Sequence, residues 1–183
     1  MKIIAILGRK KTGKTTIMET LIREFSKQFT ILAIKHISKS YFEVDKIGSD
    51  SWKFAHAGAN VILPISENKL ALIVESKIIF EGINDLIKRI YTFLGKNLDL
   101  VLIEGYSELV KEQKDVIKII TVKEINELEY WLKVLEEPLL AIVCKNSELI
   151  EKVRNRCADK LILSLDNHYK LVEYLKEIIK APF

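Results

Sequence analysis

The chain has 183 residues, 49% of them hydrophobic and 30% charged, which suits a folded domain with a substantial core and excludes a disordered polypeptide. Its 29 basic and 25 acidic side chains leave a formal net charge of +4 spread along the sequence, compatible with a polyphosphate ligand but without the basic footprint of a nucleic-acid binder. Cys144 and Cys157 are its two cysteines and lack C-x-x-C spacing, which argues against a disulfide framework or structural zinc and for a reducing, cytoplasmic setting.

Residues 3–7 form an apolar run far too short for a signal peptide or a membrane span. It leads straight into a glycine turn and reads as a buried strand. Further short runs rich in Ile, Val and Leu lie at 30–34, 61–65, 70–74, 98–103, 139–144 and 160–163. Most are continuous rather than alternating, as strands covered on both faces should be. Helical spacing occupies 14–28, 49–57, 83–94, 123–135, 147–157 and 167–179. This alternation predicts an α/β protein: a three-layer, open, mostly parallel sheet with helices on both faces. The pair 61–65 and 70–74, joined by Ser66-Glu67-Asn68-Lys69, reads as a hairpin adding antiparallel strands at one edge. No Pro/Gly/Ser linker, repeat or low-complexity tract divides the chain, and Pro64, Pro138 and Pro182 fall near strand or chain ends. A single domain is expected.

Gly8-Arg9-Lys10-Lys11-Thr12-Gly13-Lys14-Thr15 matches G-x-x-x-x-G-K-[ST] at every fixed position, and Thr16 follows. Such a match arises by chance in roughly 4 of 100,000 windows. A strand before it and an amphipathic helix after it, with Ile17, Leu21 and Phe25 on one side, supply the context of a P-loop NTPase. Glycines let the backbone wrap phosphates, and N–H groups at a helix N-terminus favour an anion. Lys14 is then the bridge to the β- and γ-phosphates and the Thr15 hydroxyl a Mg2+ ligand.

Such a loop needs an acid at the C-terminal end of a neighbouring parallel strand. Glu104, after Leu100-Val101-Leu102-Ile103, is that candidate, and Gly105 would let the backbone turn close to the γ-phosphate. Asp99, at the opposite end of the run, reads as a strand-entry residue rather than a metal ligand. After Ile34-Lys35-His36 comes the polar stretch from Tyr41 to Ser51, placed like a switch or substrate loop. Within it Asp45 is a candidate second metal-side acid or water positioner, or alternatively a cap of local backbone. Ser49 and Asp50 read as N-cap residues of the helix bearing Trp52 and Ala55. His36 touches a ligand or hydrogen-bonds structurally, and His56 and His168 belong to no constellation.

The ordered series Gly8-x4-Gly13-Lys14-Thr15-Thr16, Ile34-Lys35-His36, Asp45-Lys46-x-Gly48-x-Asp50-Ser51, Ala57-Gly58-Ala59 and Glu104-Gly105-Tyr106 resembles the molybdopterin-guanine dinucleotide biosynthesis protein B (MobB) family. The resemblance implies a GTP-binding protein, often homodimeric, with at most slow GTP hydrolysis. Its partner would be the guanylyltransferase that attaches GMP to molybdopterin, with GTP and Mg2+ as ligands and no nucleic acid or membrane. Lys10 and Lys11 stand where the family's loop usually has small residues, and Ser107 where a lysine commonly follows the E-G-aromatic triplet. The guanine-reading N-K-x-D motif of ordinary GTPases is absent: Cys144-Lys145-Asn146-Ser147 has the lysine without the Asp. Guanine preference therefore comes from the resemblance alone.

Arg9 occupies the place where related dimeric ATPases with a variant P-loop carry a lysine that reaches the partner's nucleotide. It is a candidate to contact phosphate in its own or a partner subunit, or else adds with Lys10 and Lys11 to the local positive potential. A P-loop with a strand-end Glu-Gly also resembles dethiobiotin synthetase, so a small-molecule kinase or ATP-dependent ligase is the alternative reading. A metal-loading GTPase is disfavoured by the lack of a His/Cys cluster at ligand spacing.

Overall fold

The computed structural model describes residues 1–39, 42–75, 80–95 and 97–180. Tyr41, in the expected polar loop, and Pro182 lie outside the described residues. The chain begins β1 (Lys2–Gly8), α1 (Lys14–Phe25) and β2 (Ile31–Lys35), followed by α2 (Asp50–His56), β3 (Val61–Ile62) and β4 (Ile73–Val74). Then come α3 (Ile83–Leu94), β5 (Leu100–Glu104), α4 (Ser107–Val110), β6 (Val116–Val122), α5 (Ile125–Val134), β7 (Leu139–Cys144), α6 (Leu149–Arg154), β8 (Leu161–Ser164) and α7 (Lys170–Lys180). Contacts group these elements into two compact units, Met1–His36 with Gly82–Phe183, and Ile37–Glu81.

The larger unit is built on a parallel sheet in the order β2-β5-β1-β6-β7-β8. Successive side chains of a strand point to opposite faces, and β1 is apolar on both. Ile4 and Ile6 pack with Leu100 and Leu102 against Ile17, Leu21 and Phe25 of α1 and Leu171 and Leu175 of α7. Ile3, Ala5 and Leu7 join Val101 and Ile103 against Ile83 and Ile87 of α3, Leu128 and Trp131 of α5, and Val153 of α6. Helices thus cover both faces, and full burial of each such aliphatic side chain contributes about 1.5–3 kcal/mol.

One central strand was not anticipated. No apolar run stands out at 116–122 because Lys118 interrupts it, yet β6 pairs with both β1 and β7. Lys118 is fully buried, and its ammonium donates to the carbonyls of Gln113 at 2.5 Å and Val116 at 3.2 Å. These bonds offset part of the desolvation that pushes its pKa below the usual lysine value.

In the smaller unit, Val61 pairs with Val74 and Ile62 with Ile73, and Ile65 bridges Leu70. The antiparallel hairpin is therefore present, but as a two-stranded sheet of its own rather than as added edge strands. Ser49 caps α2 as expected, its Oγ accepting from the Trp52 amide at 3.2 Å.

Candidate functional site

The turn between β1 and α1 places its chemistry at the C-terminal end of the parallel sheet, where open α/β sheets bind ligands. Gly8 has φ 147°, and a Cβ there would collide with the Thr121 hydroxyl and stand 2.6 Å from the Thr121 carbonyl oxygen. Gly13, the N-cap of α1, has φ 95°, and a Cβ there would lie 2.5 Å from both methyl carbons of Leu165. Both positions therefore require glycine for conformation and for space. Buried Thr12 ties the turn down: its hydroxyl donates to the Arg9 carbonyl at 2.8 Å and lies 2.6 Å from the Thr121 hydroxyl. Thr121 Oγ1 in turn donates to the Leu7 carbonyl at 3.1 Å.

Lys14 folds back across the turn, its Nζ donating to the Arg9 carbonyl at 2.7 Å. Partial burial pushes its pKa below the ordinary lysine value, against the opposing charge of Glu104. At the end of β5, the Glu104 carboxylate is held on both oxygens. Oε2 accepts from the Thr15 hydroxyl at 3.1 Å and Oε1 from Lys35 Nζ at 2.7 Å. Residues 10–16, Glu104, Lys145 and Leu165 line a cavity of about 440 Å3. Lys10, Lys11 and Thr16 are exposed, and Lys11 adopts φ 63°, uncommon for a side-chain-bearing residue. The Gly105 amide donates to the Ile6 carbonyl at 3.0 Å. Beside it the His36 ring stacks on Tyr106, with centroids 4.5 Å apart and planes 13° apart.

The structure thus brings together Gly8 through Thr16 with Glu104 and Gly105. Asp45 lies in the smaller unit, where its carboxylate accepts hydrogen bonds from the Ser51 hydroxyl and, at 2.8 Å, from the Lys46 amide. The Ser51 bond is the main reason its pKa sits below the usual carboxylate value. Asp99 accepts from the Thr30 amide at 2.8 Å, a strand-entry role. His168 is accounted for by Thr20 Oγ1 at 2.8 Å and the Leu165 carbonyl at 2.5 Å, and His56 by the Trp52 carbonyl at 3.1 Å.

Four residues close to this turn were not singled out from sequence. Lys35 was read only as part of a motif, and its pairing with Glu104 depends on the adjacency of β2 and β5. Thr121 lies on β6, the strand that the sequence pattern did not reveal. Leu165 and Glu127 carried no signal: Glu127 comes near through the register of α5, its Oε1 lying 3.8 Å from Arg9 Nε.

A parallel sheet whose first strand ends in a glycine turn folded around a lysine, with a carboxylate on the adjacent strand, defines a P-loop-type α/β protein. The sequence profile of the family described as molybdopterin guanine dinucleotide synthesis protein B matches residues 3–145, and the chain belongs to that family. A Methanocaldococcus jannaschii protein, provisionally named a molybdopterin-guanine dinucleotide biosynthesis adapter, is 31% identical over 124 residues, 68% of this chain and 48% of that protein. The chain therefore spans about half the length of this archaeal relative. The Haemophilus influenzae molybdopterin-guanine dinucleotide biosynthesis adapter is 29% identical over 143 residues, 76% of this chain and 72% of that protein. The crystal structure of Bacillus subtilis MobB superposes with a TM-score of 0.75 over all of both chains at 22% identity, a likeness of fold.

Proposed function

We propose that the chain is a GTP-binding adapter that assists the guanylyltransferase step of molybdenum cofactor biosynthesis, with at most slow GTP hydrolysis. The observation that carries the nucleotide reading is the meeting of Lys14, Thr15 and Glu104 at one cavity. Backbone N–H groups from Gly8 through Thr16, at the N-terminus of α1, suit phosphate oxygens. Buried Thr12 would contribute through its amide, since its hydroxyl is committed inward. Lys14 would exchange the Arg9 carbonyl for the β- and γ-phosphates, and Gly105 would let the chain pass close to the γ-phosphate.

The neighbouring Thr15 hydroxyl and Glu104 carboxylate form a hard-oxygen pair of the kind Mg2+ takes alongside phosphate and water, so the residues fit that ion. When bound, Mg2+ would neutralise phosphate charge. Asp45 is engaged by the Ser51 hydroxyl and the Lys46 amide within the smaller unit, which favours its reading as a cap of local backbone. The names of the two relatives support the pathway and, through it, the guanylyltransferase as partner. A homodimer is supported by the apolar side chains that the smaller unit exposes, among them Phe54, Val61 and Ile65. The unpaired cysteines suit a cytoplasmic protein.

Competition between GTP and ATP in Mg2+, followed by turnover with and without small acceptor molecules, tests this reading. The adapter prefers GTP and hydrolyses it more slowly than about one per minute, far below the typical enzyme rate. Tight ATP binding with rapid phosphoryl transfer to an added acceptor would instead establish a kinase or ligase.

A further inference from the structure

We infer that Arg9 serves as the counter-ion of Glu127: it acts on the nucleotide by neutralising a buried carboxylate beside the phosphate-binding turn rather than by touching phosphate. The inference rests on the reading that this turn binds nucleotide phosphates.

The Glu127 side chain is 1% exposed. Its Oε2 accepts from the Lys123 amide at 2.9 Å, in the first turn of α5, where the helix dipole favours an anion. Its Oε1 is buried without a hydrogen-bond partner. A carboxylate so placed is costly unless a cation compensates it, and the cation paired with it among the described residues is Arg9, Nε to Oε1 3.8 Å.

Arg9 is also bound into the turn through its backbone. Its carbonyl accepts both from Lys14 Nζ at 2.7 Å and from Thr12 Oγ1 at 2.8 Å, so the ion pair with Glu127 sits on the residue against which Lys14 rests. The negative charge of Glu127 lies beside the turn, at the Arg9 side chain. Its field opposes any phosphate bound there. Without Arg9, that repulsion would stand uncompensated.

The test is a double-mutant cycle on Mg2+-GTP affinity using wild type, Arg9→Ala, Glu127→Gln and the double variant, with Arg9→Lys and Lys14→Ala alongside. Arg9→Ala should weaken binding roughly tenfold. Glu127→Gln, nearly isosteric, should bind as tightly as wild type or more so. The double variant should return to within about twofold of Glu127→Gln, and Arg9→Lys should keep most of the affinity. A double variant as weak as Arg9→Ala would overturn the inference and make Arg9 a direct phosphate ligand. A loss in Arg9→Ala that depends on protein concentration would overturn it in favour of a residue reaching across to a partner's nucleotide, and no loss at all would overturn it outright. Unfolding midpoints of the same samples separate loss of fold from loss of affinity. Failure of the underlying reading has its own signature: wild type and Lys14→Ala would then bind Mg2+-GTP equally weakly.

Discussion

The parallel-sheet body and the segment Ile37–Glu81 treat their apolar residues in opposite ways. In the body, Ile4, Ala5, Ile6, Leu7, Val101, Leu102 and Ile103 are all fully buried between two helical layers. In the smaller unit, Ile62 is the buried large aliphatic residue among those described, while Phe42, Ile47, Phe54, Val61, Ile65, Leu70 and Leu72 are exposed. A segment of this size rarely builds a core of its own, and a concentration of exposed apolar side chains marks a contact surface. Under the proposed function, the nucleotide chemistry accordingly belongs to the body and contact with another chain to the smaller unit.

The largest effect should come from the body. Leu102→Ala leaves a cavity between β5 and α1 and should cost about 2–5 kcal/mol, read from urea unfolding and independent of protein concentration. Next, saturating Mg2+-GTP at a hundredfold excess over Kd should raise the unfolding free energy by about 2.7 kcal/mol, and Lys14→Ala should abolish that gain. Smaller still, Phe54→Ser combined with Ile65→Ser should shift the stability of the dilute protein by less than about 0.5 kcal/mol per site. The same pair should remove self-association in sedimentation equilibrium. A Leu102→Ala cost that varied with concentration, or a double surface variant that unfolded the body, would dissolve the contrast.

The smallest effect concerns Lys118. Burial lowers its folded-state pKa below the unfolded value, so between the two values the unfolded chain binds more protons and stability rises with pH. Relative to wild type, Lys118→Met should lose that rise on the alkaline side, and a parallel pH dependence in the two proteins would refute the assignment.

Much of this arrangement was legible beforehand, for identifiable reasons. The turn from Gly8 to Thr16 declares itself because phosphate wrapping demands glycines and a lysine at fixed spacing. Glu104 follows from the rule that the acid ends an adjacent parallel strand. β7 was read to the residue because a continuous apolar run between polar turns leaves little choice. β6 escaped because hydrophobic periodicity treats Lys118 as solvent-facing, whereas backbone carbonyls satisfy it inside the sheet. The hairpin's separation from the main sheet depends on contacts that local pattern does not encode. Lys35 on Glu104 and Glu127 beside Arg9 are products of strand order and helix register, which one sequence leaves open.

The most direct test of the central claim is a calorimetric titration of GTP in Mg2+ into wild type and Lys14→Ala. One site per chain in wild type, with affinity lost by at least about tenfold in Lys14→Ala, is the predicted result, since a charge-assisted contact to phosphate is removed. Equal affinity in the two proteins would place the nucleotide elsewhere and contradict the account.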